Sequence, residues 1–171
     1  MRKVIVIGSP GSGKSVFSKA LAAKTRLPLI HLDKLYWKAG WVKTDFEEWV
    51  PLVAEQTAGS AWIIDGNFQS TLDDRMQKAD TVILLDLPRG LCVYRIIKRR
   101  LANLGKSRPD MGPNCIEKLD REFSQFLRFV WNFSKISGGT IRNCMEKYDE
   151  DGRQMIVLKS KRDVKRFLQE I

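Results

Sequence analysis

Short apolar runs rich in β-branched residues alternate along this chain with longer stretches in which apolar residues recur at helical spacing. The apolar runs predict five strands, at residues 3–7, 29–32, 61–65, 81–87 and 154–158. The stretches between them predict helices, at residues 16–24, 45–57, 71–78, 89–104, about 114–136, 140–148 and from the cap at 160 onward. Because strands and helices alternate, the expected fold is α/β, with a parallel sheet that carries helices on both faces.

Capping residues and a proline refine the prediction of where these helices begin and end. Thr44 and Glu47 have the spacing of a capping box before the second helix. Pro51 lies inside that helix and is expected to kink or shorten it. Asn114 and Glu117 mark the expected start of the helix that runs to about residue 136.

Composition places the chain among ordinary globular proteins. Its 171 residues suffice for one domain with a substantial core, and 43% of them are hydrophobic and 29% charged. No apolar run approaches the ~20 residues that cross a bilayer, so no membrane partner is expected. The cysteines Cys92, Cys115 and Cys144 are scattered, which favours a reduced cytoplasmic setting and disfavours a zinc site. A monomer and a homodimer are both compatible with these features.

The charge balance is strongly basic. The net charge is +10, from 30 Lys and Arg against 20 Asp and Glu. Such a balance favours polyanionic partners, which include ATP, a phosphorylated acceptor and nucleic acid. Much of the excess lies at residues 98–108 and 159–166, where solvated surface charge is the ordinary alternative. No helix-turn-helix, zinc-finger or RNA-binding signature accompanies it, so a nucleic-acid partner has no motif to support it.

The most specific motif lies between the first strand and the first helix. Residues 8–15 read GSPGSGKS and fit the phosphate-binding pattern G-x-x-x-x-G-K-[ST] at every fixed position. Its glycines let the backbone approach phosphate, and the start of the following helix attracts anions. Lys14 is expected on the β- and γ-phosphates and Ser15 on Mg²⁺. The predicted nucleotide site comprises Gly8, Ser9, Pro10, Gly11, Ser12, Gly13, Lys14, Ser15 and Val16.

Aspartates lie at or near the carboxyl ends of three predicted strands. They are Asp33, Asp65 and Asp86. In parallel sheets with helices on both faces, ligands bind beyond these strand ends, where the phosphate-binding loop also lies. The pattern therefore predicts acidic side chains next to the bound phosphates.

Four further segments resemble small P-loop kinases of the nucleoside-monophosphate-kinase, adenylate-kinase-like type, and among these the branch named for DNA-topology modulation. They read HLDKLYWKAGW (31–41), WIIDGNF (62–68), ADTVILLDLPR (79–89) and RPDMG (108–112). The resemblance covers nearly the whole chain and implies a single domain, 1–171, with the three-layer P-loop NTPase fold. It implies a five-stranded parallel sheet of order 2-3-1-4-5, an acceptor-binding region at 33–60 and a mobile helical lid at about 100–136.

The resemblance and the chemistry of phosphoryl transfer together suggest roles for the aspartates. Asp65 ends an apolar strand and is the favoured Mg²⁺ ligand with Ser15, the alternative being a turn residue bonded to its own loop. Asp86 is a weaker candidate for the same role. Asp33 either orients an acceptor hydroxyl and accepts its proton or caps the helix that follows, and the two alternatives are equally supported. His31, the only histidine, is assigned no role.

Arginines in and after the long fourth helix match the lid chemistry that the resemblance implies. In nucleoside-monophosphate kinases, arginines of this region stack on adenine or hold the transferring phosphoryl group. Arg95 and Arg99 share a helix face, and Arg108 lies in the loop beyond. With Lys14 and Asp33, these three are the predicted catalytic residues. Surface charge is the alternative for at least half of the arginines here, which include Arg100, Arg121 and Arg128.

Aromatic residues concentrate in the predicted acceptor region. They are suited either to stack on a planar acceptor such as a nucleobase or, more commonly, to pack this region onto the sheet. The group comprises Tyr36, Trp37, Trp41, Phe46 and Trp49. Trp62 and Trp131 lie outside it and are expected in the core or in helix packing.

One departure from the adenylate-kinase-like pattern bears on the acceptor. The arginine expected soon after Asp65 and Gly66 is absent, as is the one near the start of the acceptor region. Lys34, Lys38 and Arg75 are the available substitutes, but a lysine lacks the bidentate fork of arginine. The sequence therefore disfavours an AMP-like acceptor and keeps open a nucleoside or another metabolite with a hydroxyl group.

The sequence as a whole predicts an ATP-dependent, Mg²⁺-assisted phosphotransferase with a small-molecule acceptor. Two alternatives stay open: a nucleotide-dependent nucleic-acid-binding or DNA-topology regulatory protein, and a plain NTPase.

Overall fold

A five-stranded parallel sheet forms the centre of the molecule. The computed structural model describes residues 1–107, 113–149 and 152–171. Its strands are β1 (Lys3–Gly8), β2 (Leu29–His31), β3 (Trp37–Lys38), β4 (Val42–Lys43), β5 (Trp62–Asp65), β6 (Thr81–Leu85) and β7 (Gln154–Leu158). The sheet order is β2-β5-β1-β6-β7 with parallel neighbours, while β3 and β4 form a small antiparallel hairpin. Among the five predicted strands this is the order 2-3-1-4-5, so the expected fold is confirmed.

Helices cover both faces of the sheet. They are α1 (Lys14–Thr25), α2 (Leu32–Tyr36), α3 (Phe46–Gln56), α4 (Leu72–Lys78), α5 (Arg89–Ala102), α6 (Arg121–Ile136), α7 (Gly138–Asp149) and α8 (Lys161–Glu170). Short 3₁₀ turns lie at Ala39–Trp41 and Gln69–Thr71. None of the described helices combines the length and the apolar character that crossing a membrane requires.

The core has one apolar cluster on each face of the sheet. Ile5 and Ile7 of β1 pack with residues of α3, α4, α6 and α7, whereas Val4 and Val6 pack with α1 and α8. All four side chains are fully buried, as the apolar run predicts for a parallel strand covered on both sides. A third cluster joins α5 to α6. The carboxyl ends of the strands are thereby fixed at one edge, where the candidate site lies.

The start of α6 corrects the prediction made from Asn114 and Glu117. The helix begins at Arg121, and the Asp120 side chain caps it by accepting the Phe123 N–H at 2.9 Å. Glu117 is nearly buried and forms an ion pair with Arg100 of α5. A carboxylate used for such a tertiary contact is not available to cap a helix, which is why the local spacing misled.

The start of α3 corrects a second prediction. Thr44 does not form a capping box, because its hydroxyl donates instead to the Tyr36 carbonyl at 2.8 Å. Asp45 occupies the N-cap position without a side-chain bond to the helix. Pro51 does not shorten α3, which continues to Gln56. Pro51 lies on the exposed side of the helix, where the carbonyl left without a partner is least costly.

Candidate active site

The loop between β1 and α1 passes closely against β6 and α5 at two glycines. Gly8 and Gly11 have φ of +146° and +80°. A Cβ at Gly8 would lie 2.5 Å from the Leu85 carbonyl oxygen, and one at Gly11 would lie 2.3 Å from that of Cys92. Both separations are far below van der Waals contact, so the path of this loop requires glycine at these positions.

The first turn of α1 opens onto this loop. Gly13, with φ of +98°, is the N-cap and supplies no side-chain bond, and no acidic residue lies in the first turn. The initial N–H groups of the helix therefore keep their positive partial charge for a ligand. Lys14 Nζ donates to the Ser9 carbonyl at 3.3 Å, which holds the ammonium group against the loop, and Ser15 is half-buried beside it. This arrangement suits an anion with several oxygens.

The other loop residues complete a compact turn. The Ser9 hydroxyl donates to the Pro10 carbonyl at 3.2 Å, and the Ser12 N–H donates to the Ser9 carbonyl at 3.0 Å. The Ser12 hydroxyl is buried and has no hydrogen-bond partner in the described part of the chain. Val16, in the first turn of α1, is 76% exposed and lies outside the core.

Asp65 lies at the carboxyl end of β5, next to the loop. Its side chain is 5% exposed, and its Oδ2 lies 2.9 Å from Nδ1 of His31, its register partner on β2. Its Oδ1 is buried without a partner among the described residues. A carboxylate oxygen in this state fits Mg²⁺ or a Mg²⁺-bound water. No group of three or more His, Cys, Asp or Glu side chains in the described ranges could hold an ion alone, so phosphate and water would supply the other ligands.

The structure separates the other two aspartates from Asp65 by burial and position. Asp86 is exposed after the end of β6, so it is poorly placed for a buried ion. Asp33 is half-buried and is the second residue of α2, whose N-cap is His31. Of the two alternatives for Asp33, helix capping is therefore wrong.

The predicted arginines fall into three different situations. Arg95 Nη1 donates to the carbonyls of Ser12 at 2.8 Å and of Gly11 at 3.4 Å, so it lies against the phosphate-binding loop. Arg99 is half-buried one turn further along α5. Arg108 lies outside the described residues.

Arg75 is buried and does not replace the missing acceptor arginines, whereas Lys38 lies in an exposed ion pair. Arg75 is fully buried, and among the described residues its guanidinium donates to backbone carbonyls and to the Thr71 hydroxyl alone. Lys38 forms a 2.5 Å ion pair with Glu48. Lys34 is exposed. Burial thus removes Arg75 from the three substitutes that the sequence offers for holding an acceptor phosphate, whereas the exposed ion pair of Lys38 is weak enough to exchange for another anion.

Sequence reasoning missed the contact between Asn67 and the phosphate-binding loop. Asn67 Nδ2 donates to the Gly8 carbonyl at 2.9 Å, and the Gly8 N–H donates to Asn67 Oδ1 at 3.0 Å. It also missed the pairing of His31 with Asp65. Each contact joins strand ends that the expected order 2-3-1-4-5 places side by side, so that order was the signal that could have indicated it.

The aromatic residues of the acceptor region form a continuous group. The Tyr36 ring centroid lies 5.1 Å from that of Trp49 and 4.7 Å from that of Phe68, and Trp37 lies 5.5 Å from Trp41. Trp49 is buried in the core, which is the packing use expected of it. Phe46 is 65% exposed and lies outside the group.

The two tryptophans outside this region behave differently from each other. Trp62 is 1% exposed and belongs to the core. Trp131 is 46% exposed on α6, and the Arg89 guanidinium lies 4.3 Å from its ring. Trp131 therefore packs through a cation–π contact with α5 and not in the core.

The acceptor region contacts the segment at residues 113–117, which belongs to the predicted lid. The Gly40 N–H donates to the Pro113 carbonyl at 3.3 Å, and the Trp41 indole N–H donates to the Ile116 carbonyl at 3.0 Å. The buried Cys115 thiol lies 3.6 Å from the Lys38 carbonyl. These contacts join the two regions that the sequence assigned to acceptor binding and to the lid.

The sheet order and the loop geometry define the P-loop NTPase fold, in the form that small kinases share. No family model and no curated protein matches the chain. Solved structures do match it. A shikimate kinase from Acinetobacter baumannii, in complex with shikimate, aligns with a TM-score of 0.61 at 15% identity, covering 99% of this chain and 90% of that one.

Two further solved structures show the same likeness. A shikimate kinase from Bacteroides thetaiotaomicron aligns with a TM-score of 0.51 at 16% identity, covering 98% of this chain and 94% of that one. A protein from Chloroflexus aurantiacus described as a candidate kinase aligns with a TM-score of 0.56 at 18% identity, with the same coverage. At these identities the likeness is one of fold, and the resemblance to the adenylate-kinase-like branch stays a prediction.

Proposed function

We propose that this protein is an ATP- and Mg²⁺-dependent phosphotransferase whose acceptor is a small molecule with a hydroxyl group. The observation that carries the proposal is the convergence of the phosphate-binding loop, the buried Asp65 and Arg95 at one edge of the sheet. Phosphoryl transfer needs positioning and charge neutralisation, and these groups supply both. The fold shared with kinases of a small hydroxylated acceptor supports the same class.

The loop residues would hold the donor. Lys14, whose ammonium group contacts the Ser9 carbonyl of the loop, would exchange this contact for the β- and γ-phosphate oxygens. Bound Mg²⁺ neutralises charge on these phosphates, and Ser15 and the Oδ1 of Asp65 are the residues suited to hold it, directly or through water. Arg95 keeps the loop carbonyls in place and brings a positive charge beside the phosphates.

Asp33 would meet the acceptor. It lies half-buried in the first turn of α2, directly after the strand end that carries His31. A carboxylate there can orient a hydroxyl and accept its proton during transfer. Because Arg75 is buried and the lysines Lys34 and Lys38 lack the bidentate fork of arginine, we favour an acceptor without a phosphate group.

Replacement of Lys14 tests the nucleotide site. Saturating ATP and Mg²⁺, at a hundredfold excess over Kd, should stabilise the wild-type protein by about 2.7 kcal/mol. For a chain of this size that corresponds to roughly 5–10 °C in Tm. Lys14→Ala should lose most of this shift, because the ammonium contact with the phosphates is gone, as differential scanning fluorimetry would show.

Lys19→Ala is the matched control, since Lys19 is an exposed lysine on the same helix. It should keep the full shift. An unchanged shift in Lys14→Ala would contradict the proposed nucleotide site.

A metabolite screen for acceptor-stimulated ADP production tests the reaction itself. Hydroxylated acceptors without phosphate should stimulate ADP release, and Asp33→Asn should abolish the stimulation while it keeps the ATP-induced shift in Tm. Equal ADP release with and without every acceptor would instead indicate a plain NTPase.

A nucleic-acid-binding role is the second candidate. It is favoured by the net charge of +10 and by four exposed cations on α8: Lys161, Arg162, Lys165 and Arg166. Duplex binding that weakens steeply between about 50 and 200 mM salt would support it. An absence of binding near physiological salt would count against it.

A further inference from the structure

Arg75 brings a positive charge into the interior of the protein. It lies on α4 with an exposed fraction of 0%, and no ion pair in the described part of the chain involves it. Burial lowers the pKa of its guanidinium to about 9, so it is still charged at pH 7. A buried charge without a carboxylate partner is expensive and calls for an explanation.

The guanidinium is satisfied by the backbone of one loop. Its Nη1 donates to the Gly66 carbonyl at 3.0 Å, and its Nη2 donates to the carbonyls of Asn67 at 2.5 Å and Phe68 at 2.9 Å. Its Nε donates to the Thr71 carbonyl at 3.2 Å. Three consecutive carbonyls therefore turn inward to one cation, which fixes the peptide planes of the loop at residues 66–68.

This loop extends in one direction to the phosphate-binding loop. The Asn67 side chain holds both the N–H and the carbonyl of Gly8, where β1 ends. The Gly66 N–H donates to the Val6 carbonyl at 3.2 Å, which ties the same loop to β1 two residues earlier. The position of Gly8, and with it the entry to the phosphate-binding loop, therefore depends on how residues 66–68 are held.

In the other direction the loop extends to the acceptor region. Phe68 has φ of +29°, an uncommon conformation for a residue with a side chain, so the surrounding contacts must hold it there. Its ring centroid lies 4.7 Å from Tyr36 and 4.8 Å from Trp49. Phe68 thus forms part of the aromatic wall of that region.

We propose that Arg75 and Asn67 are positioning residues that set the phosphate-binding loop and the acceptor wall relative to each other. Arg75 fixes residues 66–68, Asn67 transmits that geometry to Gly8, and Phe68 transmits it to the aromatic wall. The consequence for catalysis rests on the proposed phosphotransferase function. The claim that Arg75 and Asn67 set the geometry of the two regions concerns the protein without ligand. It does not depend on the proposed function.

Asn67→Ala tests the link to the phosphate-binding loop. Removing the two hydrogen bonds should accelerate amide exchange at Gly8 in the ligand-free protein by about tenfold. Each bond is expected to slow the exchange rate by roughly threefold. The Kd for ATP with Mg²⁺, from isothermal titration calorimetry, should rise by about tenfold, because binding must then order the loop. The midpoint of urea unfolding should fall only modestly.

Asp73→Ala is the matched control on α4. Asp73 pairs with Lys147 of α7 at 2.9 Å, on a contact that does not involve residues 66–68. It should leave both the Gly8 exchange rate and the Kd unchanged, whatever it does to stability.

Arg75→Lys tests whether Arg75 acts through Asn67. A single ammonium group cannot reach three carbonyls in the geometry of the fork, so the variant should also weaken ATP binding. The double variant Arg75→Lys/Asn67→Ala should then bind ATP about as weakly as Asn67→Ala alone, because the two residues act in series. If Arg75→Lys fails to fold, the Asn67→Ala measurements decide the question.

The outcomes separate this inference from the proposed function. Wild-type protein that does not bind ATP would overturn the proposed function, and the Gly8 exchange rate would still test the geometric claim. Wild-type protein that binds ATP, with unchanged Gly8 exchange and unchanged Kd in Asn67→Ala, would overturn the inference alone. A loss of stability without any change in exchange or Kd would also overturn it, since a merely structural role predicts that result.

Discussion

The two carboxylate oxygens of Asp65 lie in different environments. One oxygen faces Nδ1 of His31 at 2.9 Å, and the other is buried without a partner in the described part of the chain. Leaving a buried acceptor unpaired costs about 1–3 kcal/mol. Such a cost is expected where a ligand completes the site. A hard cation bound beside phosphate oxygens would give the buried Asp65 oxygen its missing partner.

Asp65→Asn should separate the metal from the nucleotide. With a chelator present, ATP alone should stabilise the variant and the wild type equally. The Mg²⁺ concentration that gives half of the additional stabilisation should rise at least tenfold, because a charge-assisted ligand is worth about 1.5–3 kcal/mol. Thermal shifts measured across a Mg²⁺ titration would show this. Identical Mg²⁺ dependence in both proteins would exclude Asp65 as a ligand.

The residues of the site differ in how far the sequence could predict them. The phosphate-binding loop and Asp65 follow from local pattern, since a strand, a loop and a helix start are contiguous in the chain. Asn67 and His31 bind atoms of neighbouring strands, and Arg75 binds carbonyls of the irregular loop that precedes its helix. No local pattern specifies such partners, so these roles needed the fold.

Helix α5 is joined to the segment before α6 by a nearly buried ion pair between Arg100 and Glu117. Their side chains are 15% and 4% exposed, and the Arg100 guanidinium also lies 4.4 Å from the Phe123 ring. This contact explains why the start of α6 departs from the local capping signal. The existence of each predicted helix followed from periodicity, but its ends depend on tertiary partners that periodicity does not record.

Glu117→Gln should destabilise the protein by about 3 kcal/mol, because breaking a buried pair leaves an uncompensated charge. That corresponds to roughly 6–12 °C in Tm for a chain of this size. Glu146→Gln, an exposed glutamate on α7, is the control and should change Tm little. Equal Tm values for the two variants would show that the pair contributes nothing.

At the scale of the whole molecule, the order of the five-stranded sheet was predictable because the resemblance carries a known topology and an apolar run marks each of its five strands, whereas the short β3–β4 hairpin was not predicted. The sheet also contains a link that the sequence did not show. The Asp80 carboxylate accepts the N–H groups of Arg2 at 2.7 Å and Lys3 at 2.9 Å, and the Thr81 hydroxyl at 2.7 Å. It therefore ties the start of β1 to the start of β6.

This link should make the stability of the whole fold depend on pH. Burial acts to raise the pKa of Asp80, but the bonds from Thr81, Lys3 and Arg2 outweigh it, so the pKa lies below the ordinary 3.8. A lowered folded-state pKa stabilises the protein above the unfolded value, and this contribution is lost as pH falls below it towards the folded value. The free energy of urea unfolding should therefore differ between wild type and Asp80→Asn most at pH 7.

The difference in the free energy of unfolding between wild type and Asp80→Asn should shrink as the pH falls below about 3.8. Asp80 there becomes protonated first in the unfolded state and then in the folded state. A difference that stays constant from pH 7 to pH 3 would contradict the role of the charged carboxylate.

The burial of Cys115 against the Lys38 carbonyl has a practical consequence for measuring motion. The thiol has an exposed fraction of 0%, so a thiol reagent reaches it only when residues 113–117 part from the acceptor region. In a background where Cys92 and Cys144 are replaced by alanine, the rate of Cys115 modification therefore reports those separations, as amide exchange reports local opening. The buried Cys115 thiol is therefore a built-in probe of how often residues 113–117 separate from the acceptor region.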